Sequence, residues 1–219
     1  MRAVLFDFTG TLFWIEDART AVVAALGEQF AALAPDLTRW GAINGSGTPA
    51  ELPPHLADVW EQRDLSRASH RAAYSGLARH AGLAEAQARI LYDRGTTPDA
   101  WRPYPDTLAV LQRLRDKGIR TALVSNIGWD PRPVLQTYGA ADLLDVLVLS
   151  DEFGAMKPDP AIFQHACDAL EVEPSESLMV GDTVASDGGA TAIGCQFVLV
   201  DPSPTRPPDT LLRAVGVAE

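Results

Sequence analysis

Apolar residues along the chain fall into two patterns, and each predicts a different element. Short unbroken runs occur at Val4–Phe6, Ala122–Val124, Val146–Leu149, Leu178–Val180 and Phe197–Val200. Runs of this length without polar alternation predict strands buried on both faces. Between the later runs the spacing becomes helical. Over Thr107 to Lys117, Leu108, Leu111 and Leu114 predict one apolar side, and Gly118 a C-terminal cap. From Asp159 the chain offers an N-cap carboxylate, then Pro160 in the first turn, then Ile162, Phe163, Ala166 and Leu170 as a stripe. Strand alternating with helix predicts an α/β fold with a parallel central sheet covered on both faces.

The alternation breaks between the first and second runs. Thr20 to Leu33 and Asp58 to Leu91 read as helical, with no strand between them. An α-helical insert over 14–98 accounts for this, leaving 1–13 and 99–219 as the α/β core. Inside the insert, Asn44-Gly45-Ser46-Gly47-Thr48-Pro49 through Pro53-Pro54 predicts a loop, and Thr97-Pro98 to Pro103-Tyr104-Pro105 a return hinge. Asp201 to Asp209, with four prolines, predicts a surface loop before a short terminal helix.

Composition narrows the partners. No stretch approaches the run of about 20 apolar residues that a membrane span needs. The Ala3–Phe6 run is interrupted by Asp7 and is too short for a secretory signal. Cys167 and Cys195 are the only cysteines, far apart and without metal-ligand spacing, so neither a disulfide framework nor a zinc site is expected, and the expected compartment is the cytoplasm. A net charge of −11 argues against nucleic acid and anionic membrane as partners. A small phosphorylated substrate is compatible with that charge, because a local cation and a metal reverse the surrounding field. Monomer and homodimer both stay open.

Four short motifs sit where the predicted strands end, the place where open α/β sheets bind ligands. The first is Asp7-Phe8-Thr9-Gly10-Thr11-Leu12, a carboxylate followed by a glycine suited to a tight turn. Ser125-Asn126 follows Ala122-Leu123-Val124 with hydroxyl and amide donors. Lys157-Pro158 places a cation ahead of a helix. Gly181-Asp182-Thr183, with Asp187 further on, follows Leu178-Met179-Val180.

In these four motifs, and in phrases such as Gly154-Ala155-Met156-Lys157-Pro158-Asp159-Pro160, the chain resembles the haloacid dehalogenase superfamily, in its branch with a helical (C1-type) cap. The resemblance covers nearly the whole chain. It implies a three-layer, Rossmann-like core and a helical cap that excludes water and selects the substrate. It also implies a phosphatase in which Asp7 attacks phosphorus and forms an aspartyl-phosphate. Mg²⁺ would be held by Asp7, the backbone carbonyl of Thr9 and Asp182. Lys157 would neutralise phosphoryl charge, and Ser125 and Asn126 would position phosphoryl oxygens. Asp187 would orient Lys157 or reach the metal through water; the bland alternative is a solvated residue on a first helical turn.

One position departs from the family. Its phosphatases usually carry a second Asp two residues after the nucleophile as general acid and base, and this chain has Thr9 there. A hydroxyl cannot replace a carboxyl in that role near neutral pH, so poor turnover of alkyl phosphates is expected, with acyl and aryl phosphates less affected. The departure keeps two alternatives open. One is carbon–halogen hydrolysis, since the family's dehalogenases also lack that Asp; they do not keep the metal-binding Asp of the fourth motif, as this chain does at Asp182. The other is a catalytically impaired protein that binds a phosphorylated ligand or acts as a regulator.

Weaker features have two readings each. Arg63, Arg67 and Arg71 recur every four residues and predict a cationic stripe on a helix, either facing a substrate anion or forming a solvated face offset by Glu61 and Asp64. Trp14 and Trp129 either line the mouth of the cleft or pack at the hinge. The four histidines, His55, His70, His80 and His165, show no ligand spacing and are read as surface or packing residues.

Overall fold

The computed structural model describes residues 1–43, 49 and 51–217. The loop expected at Asn44–Thr48 lies outside the described residues. The strands are β1 (Ala3–Phe6), β2 (Phe13–Ile15), β3 (Trp101–Pro103), β4 (Arg120–Ser125), β5 (Val146–Leu149), β6 (Ser177–Gly181) and β7 (Gln196–Leu199). Five of them form one parallel sheet in the order β5-β4-β1-β6-β7, and β2 pairs with β3 in a separate two-stranded sheet. The chain divides into two compact units. One comprises Met1–Trp14, Pro103–Asn126 and Leu135–Glu219; the other comprises Ile15–Arg102 and Ile127–Val134.

The first unit is the α/β core. β1 lies at the centre of its sheet, with Leu5 in register with Ala122 on one side and Met179 on the other. All four β1 residues are buried, as the unbroken apolar run requires of a central parallel strand. Helix Pro160–Ala169 starts at Asp159, whose side chain accepts from the Ala161 N–H at 2.9 Å, and packs Ile162, Phe163 and Ala166 against the sheet residues Leu5, Val124 and Met179. Helix Thr107–Asp116 buries Thr107, Val110, Leu111 and Leu114, whereas Leu108 is exposed. The expected apolar side is therefore rotated: at 100° per residue, Val110 and Leu111 flank the Thr107–Leu114 line and Leu108 falls off it. The proline-rich stretch after Asp201 is also not wholly superficial, since Arg206 within it is buried.

The second unit is helical. Over Thr20 to Leu33, read as helical, helix Ala18–Leu26 ends at Gly27, which sits at φ 100°, and a 3-10 segment, Glu28–Leu33, leads into helix Ala34–Arg39. The long stretch expected over Asp58 to Leu91 is likewise divided, into Ala57–Glu61, Arg63–Leu65, Arg67–His80 and Glu85–Gly95. Ser66 makes the decisive break: its backbone is extended, and its hydroxyl accepts from the Ser69 N–H as an N-cap. Arg63 thus precedes the helix carrying Arg67 and Arg71, and the three do not form one stripe. Arg63 lies over the Trp60 ring at 4.1 Å, and Arg71 pairs with Asp93 at 3.1 Å.

Ile127–Val134 groups with the helices although the expected boundaries left it with the core. The reason is packing: Trp129 stacks on Trp101 with ring centroids 5.4 Å apart, and Gly128 fits so closely against His70 that a Cβ there would lie 2.5 Å from the histidine Cβ. His70 is itself buried, with Nδ1 2.9 Å from the Tyr92 hydroxyl.

Candidate active site

Asp7 follows β1 directly, and its N–H continues the sheet by donating to the Val180 carbonyl at 3.0 Å. The chain then turns sharply. The Leu12 and Phe13 N–H groups return to the Phe8 carbonyl, and Gly10 adopts φ +79°, a conformation open to glycine at little steric cost. A Cβ on Gly10 would lie 2.4 Å from Asp182 Oδ2, so glycine also permits the close approach of this turn to the end of β6. Thr9 lies in the turn, bridged to Phe13.

Lys157 reaches this point from the loop before helix Pro160–Ala169. Its Nζ donates to Asp7 Oδ1 at 2.7 Å and to Asp187 Oδ1 at 2.6 Å, and the whole side chain is buried. Asp187 is fully buried, and its second oxygen accepts from the Thr183 N–H at 3.0 Å. Carboxylate oxygens of Asp7, Asp182 and Asp187 all lie within 4.8 Å of one another. Thr183 Oγ1 donates to Asp182 at 3.2 Å.

Ser125 is buried at the end of β4, the immediate neighbour of β1. Asn126 makes two hydrogen bonds to the Lys157 backbone. Its Oδ1 accepts from the Lys157 N–H at 2.7 Å and its Nδ2 donates to the Lys157 carbonyl at 2.9 Å, so the amide anchors the lysine's backbone. Trp14 is half-buried.

Electrostatics follow from burial and crowding. Burial pushes the Asp7 carboxyl up to about 7; Lys157 pulls against this, while Asp187 and Asp182 add to it. Burial and the Asp187 charge likewise raise Asp182. Burial works against the Lys157 charge, but Asp7 and Asp187 outweigh it and hold the ammonium above its ordinary range. Three carboxylates thus converge with one ammonium in direct contact. A hard divalent cation fits that excess of negative oxygen donors.

Gly181 does more than complete its motif. A Cβ there would lie 2.2 Å from the Asp187 carboxylate, so the glycine makes room for the group that accepts from Lys157 Nζ. A glycine at the end of a buried strand is the signal that could have shown this.

A carboxylate at a strand end, a buried lysine and an acidic cluster thus stand together on a parallel α/β sheet. The chain belongs to the haloacid dehalogenase-like hydrolases, whose family model matches residues 1–193. It is 31% identical over 203 residues to the plasmid phosphoglycolate phosphatase of Cupriavidus necator, covering 90% of this chain and 80% of that protein. It is 36% identical over 99 residues to (S)-2-haloacid dehalogenase 1 of Pseudomonas sp., covering 45% of this chain and 44% of that protein. Among solved structures it is similar to a HAD phosphatase from Thermococcus onnurineus, with a TM-score of 0.62 and 25% identity over 99% of this chain and 98% of that one. Among the described residues, no helix is long and apolar enough to cross a membrane.

Proposed function

We propose that the protein is a Mg²⁺-dependent phosphatase acting on a small phosphorylated metabolite through an aspartyl-phosphate at Asp7. The observation that carries this reading is Asp7 bound to Lys157 at 2.7 Å with the Asp182 carboxylate beside it. A carboxylate oxygen of Asp7 attacks phosphorus, the phosphorus–oxygen bond to the leaving group breaks, and water then hydrolyses the acyl phosphate. Lys157 offsets the repulsion between one anion and another, and Asp187 fixes its direction. Ser125, Asn126 and the N–H groups of the turn after Asp7 orient the phosphoryl oxygens, and Asn126 also holds the Lys157 backbone. Asp7, the Thr9 carbonyl and Asp182 would hold Mg²⁺, which supplies charge neutralisation at the phosphoryl oxygens.

Thr9 leaves the leaving group without a carboxylic acid, which directs the enzyme toward acyl and aryl phosphates. The helical insert over 14–98 is read as a C1-type cap. The enzyme is taken to be cytoplasmic, a monomer or homodimer, without nucleic-acid or membrane partners. The match to a haloacid dehalogenase favours carbon–halogen hydrolysis as a second reading, and Asp182 weighs against it because that chemistry has no evident use for a metal ligand.

Hydrolysis of acetyl phosphate and of an aryl phosphate, with Mg²⁺, with chelator and with Asp7→Asn, tests the proposal. Mg²⁺-dependent turnover lost in Asp7→Asn supports it. No turnover above the Asp7→Asn background, together with release of halide from a 2-haloacid, would replace it with the second reading.

A further inference from the structure

Arg206 lies in the proline-rich loop after β7, yet it is buried, and its hydrogen-bond acceptors are all backbone carbonyls. Nη1 donates to the carbonyls of Gly10 at 3.1 Å and Asp201 at 3.0 Å, and Nη2 donates to that of Thr11 at 2.7 Å. The guanidinium lies 3.5 Å above the Tyr104 ring, whose hydroxyl donates to the Pro202 carbonyl at 2.5 Å. Burial disfavours this cation, Asp106, Asp201 and Asp182 favour its charge without a direct ion pair, and a planar fork that meets carbonyls from two segments while stacking on an aromatic face offsets part of the cost.

We propose that Arg206 is a positioning residue for the nucleophile turn, holding the Gly10 and Thr11 carbonyls so that the Thr9 carbonyl and Asp182 stay in register for a divalent cation. The metal part of this inference rests on the phosphatase reading. Gly10, at φ +79°, is the most permissive link in the turn, and it sits where even a methyl group would collide with Asp182. Fixing two successive carbonyls just after Thr9 removes the freedom that the glycine would otherwise give the Thr9–Gly10 peptide. A rotation of that peptide would move the Thr9 carbonyl and the turn's contact with Asp182 together.

Arg206→Lys is the informative variant, because it keeps the charge but cannot span both segments. Three readouts are taken: amide hydrogen exchange of Gly10, Leu12 and Phe13, whose N–H groups close the turn; Mg²⁺ affinity by calorimetry; and kcat and KM for acetyl phosphate. The expected result is exchange at these amides faster by about tenfold or more with β5 unchanged, and Mg²⁺ binding weaker by roughly 10- to 100-fold, as for other groups that orient ligands. Loss should fall on kcat and be partly recovered at high Mg²⁺. Wild-type exchange and Mg²⁺ affinity in the variant would overturn the proposal, and so would exchange accelerated equally throughout the sheet, which would mark a general structural role. A wild-type protein that binds no Mg²⁺ would defeat the phosphatase reading and the metal part of this one. Exchange of the turn amides would still decide whether Arg206 holds the turn.

Discussion

The side chain of Asn126 clasps the backbone of Lys157 from both sides, accepting from its N–H at 2.7 Å and donating to its carbonyl at 2.9 Å. The two residues are 31 positions apart, and the pair ties the end of β4 to the loop that delivers the ammonium to Asp7. Asn126→Asp keeps the acceptor but loses the donor and adds charge. It is expected to lower kcat for acetyl phosphate by about 10- to 100-fold with a smaller change in KM, since the lysine is displaced rather than removed. Steady-state kinetics check this; a wild-type kcat would show that the clasp does not set the lysine.

Gly181→Ala is expected to be severe for so small a change. The added methyl would meet the Asp187 carboxylate at 2.2 Å, and the neighbour is held by Lys157 and the Thr183 N–H, so it cannot yield cheaply. Overpacking of a buried site costs about 1–3 kcal/mol, and the displaced Asp187 should also reduce turnover. Urea unfolding together with activity tests both parts; a variant as stable and active as wild type would contradict the packing argument.

Stability should fall in mild acid through His70. Burial, and then the Arg63 charge, hold this imidazole down at about 3 from an ordinary 6.5; the Asp64 carboxylate, 3.8 Å from Nε2, is too far to hydrogen-bond and reverse that. Because the folded value is depressed, the unfolded chain takes up the proton first. The contribution is complete above about pH 6.5 and is lost progressively as pH falls toward about 3. Between pH 7 and pH 5 the loss amounts to about 2 kcal/mol. Urea unfolding at both pH values, compared with His70→Gln, isolates this contribution; an identical pH dependence in the two proteins would exclude it.

Thr9→Asp should change selectivity more than affinity. Supplying a carboxyl two residues after Asp7 is expected to raise kcat/KM for an alkyl phosphate by about 10²-fold or more relative to acetyl phosphate, whose leaving group needs little acid assistance. An unchanged ratio of the two would mean that Thr9 does not limit turnover.

The strands were legible because each is a local run: Ala3–Phe6 needs only its own four residues to declare a strand buried on both faces, whereas the run at β7 looks alike yet forms a sheet edge with Leu199 exposed. The Asp159-Pro160 helix start was legible for the same reason, since cap and first turn are adjacent in sequence. Helix breaks at Gly27 and Ser66 were less so, because apolar spacing continues across them while the backbone does not.

By itself, the sequence determined where strands end and which carboxylates, hydroxyls and cations stand at those ends, since both are properties of a few neighbouring residues. Only tertiary structure decided what those groups hold. It gave Asn126 to the Lys157 backbone, and Ile127–Val134 to the helical unit through Trp129 on Trp101. It also brought Arg206, from a loop that composition marks as superficial, to carbonyls 196 and 195 residues earlier in the chain. Such pairings leave no local pattern, because hydrogen bonds to backbone carbonyls can be made to any residue type and depend on where the fold brings the chain back upon itself.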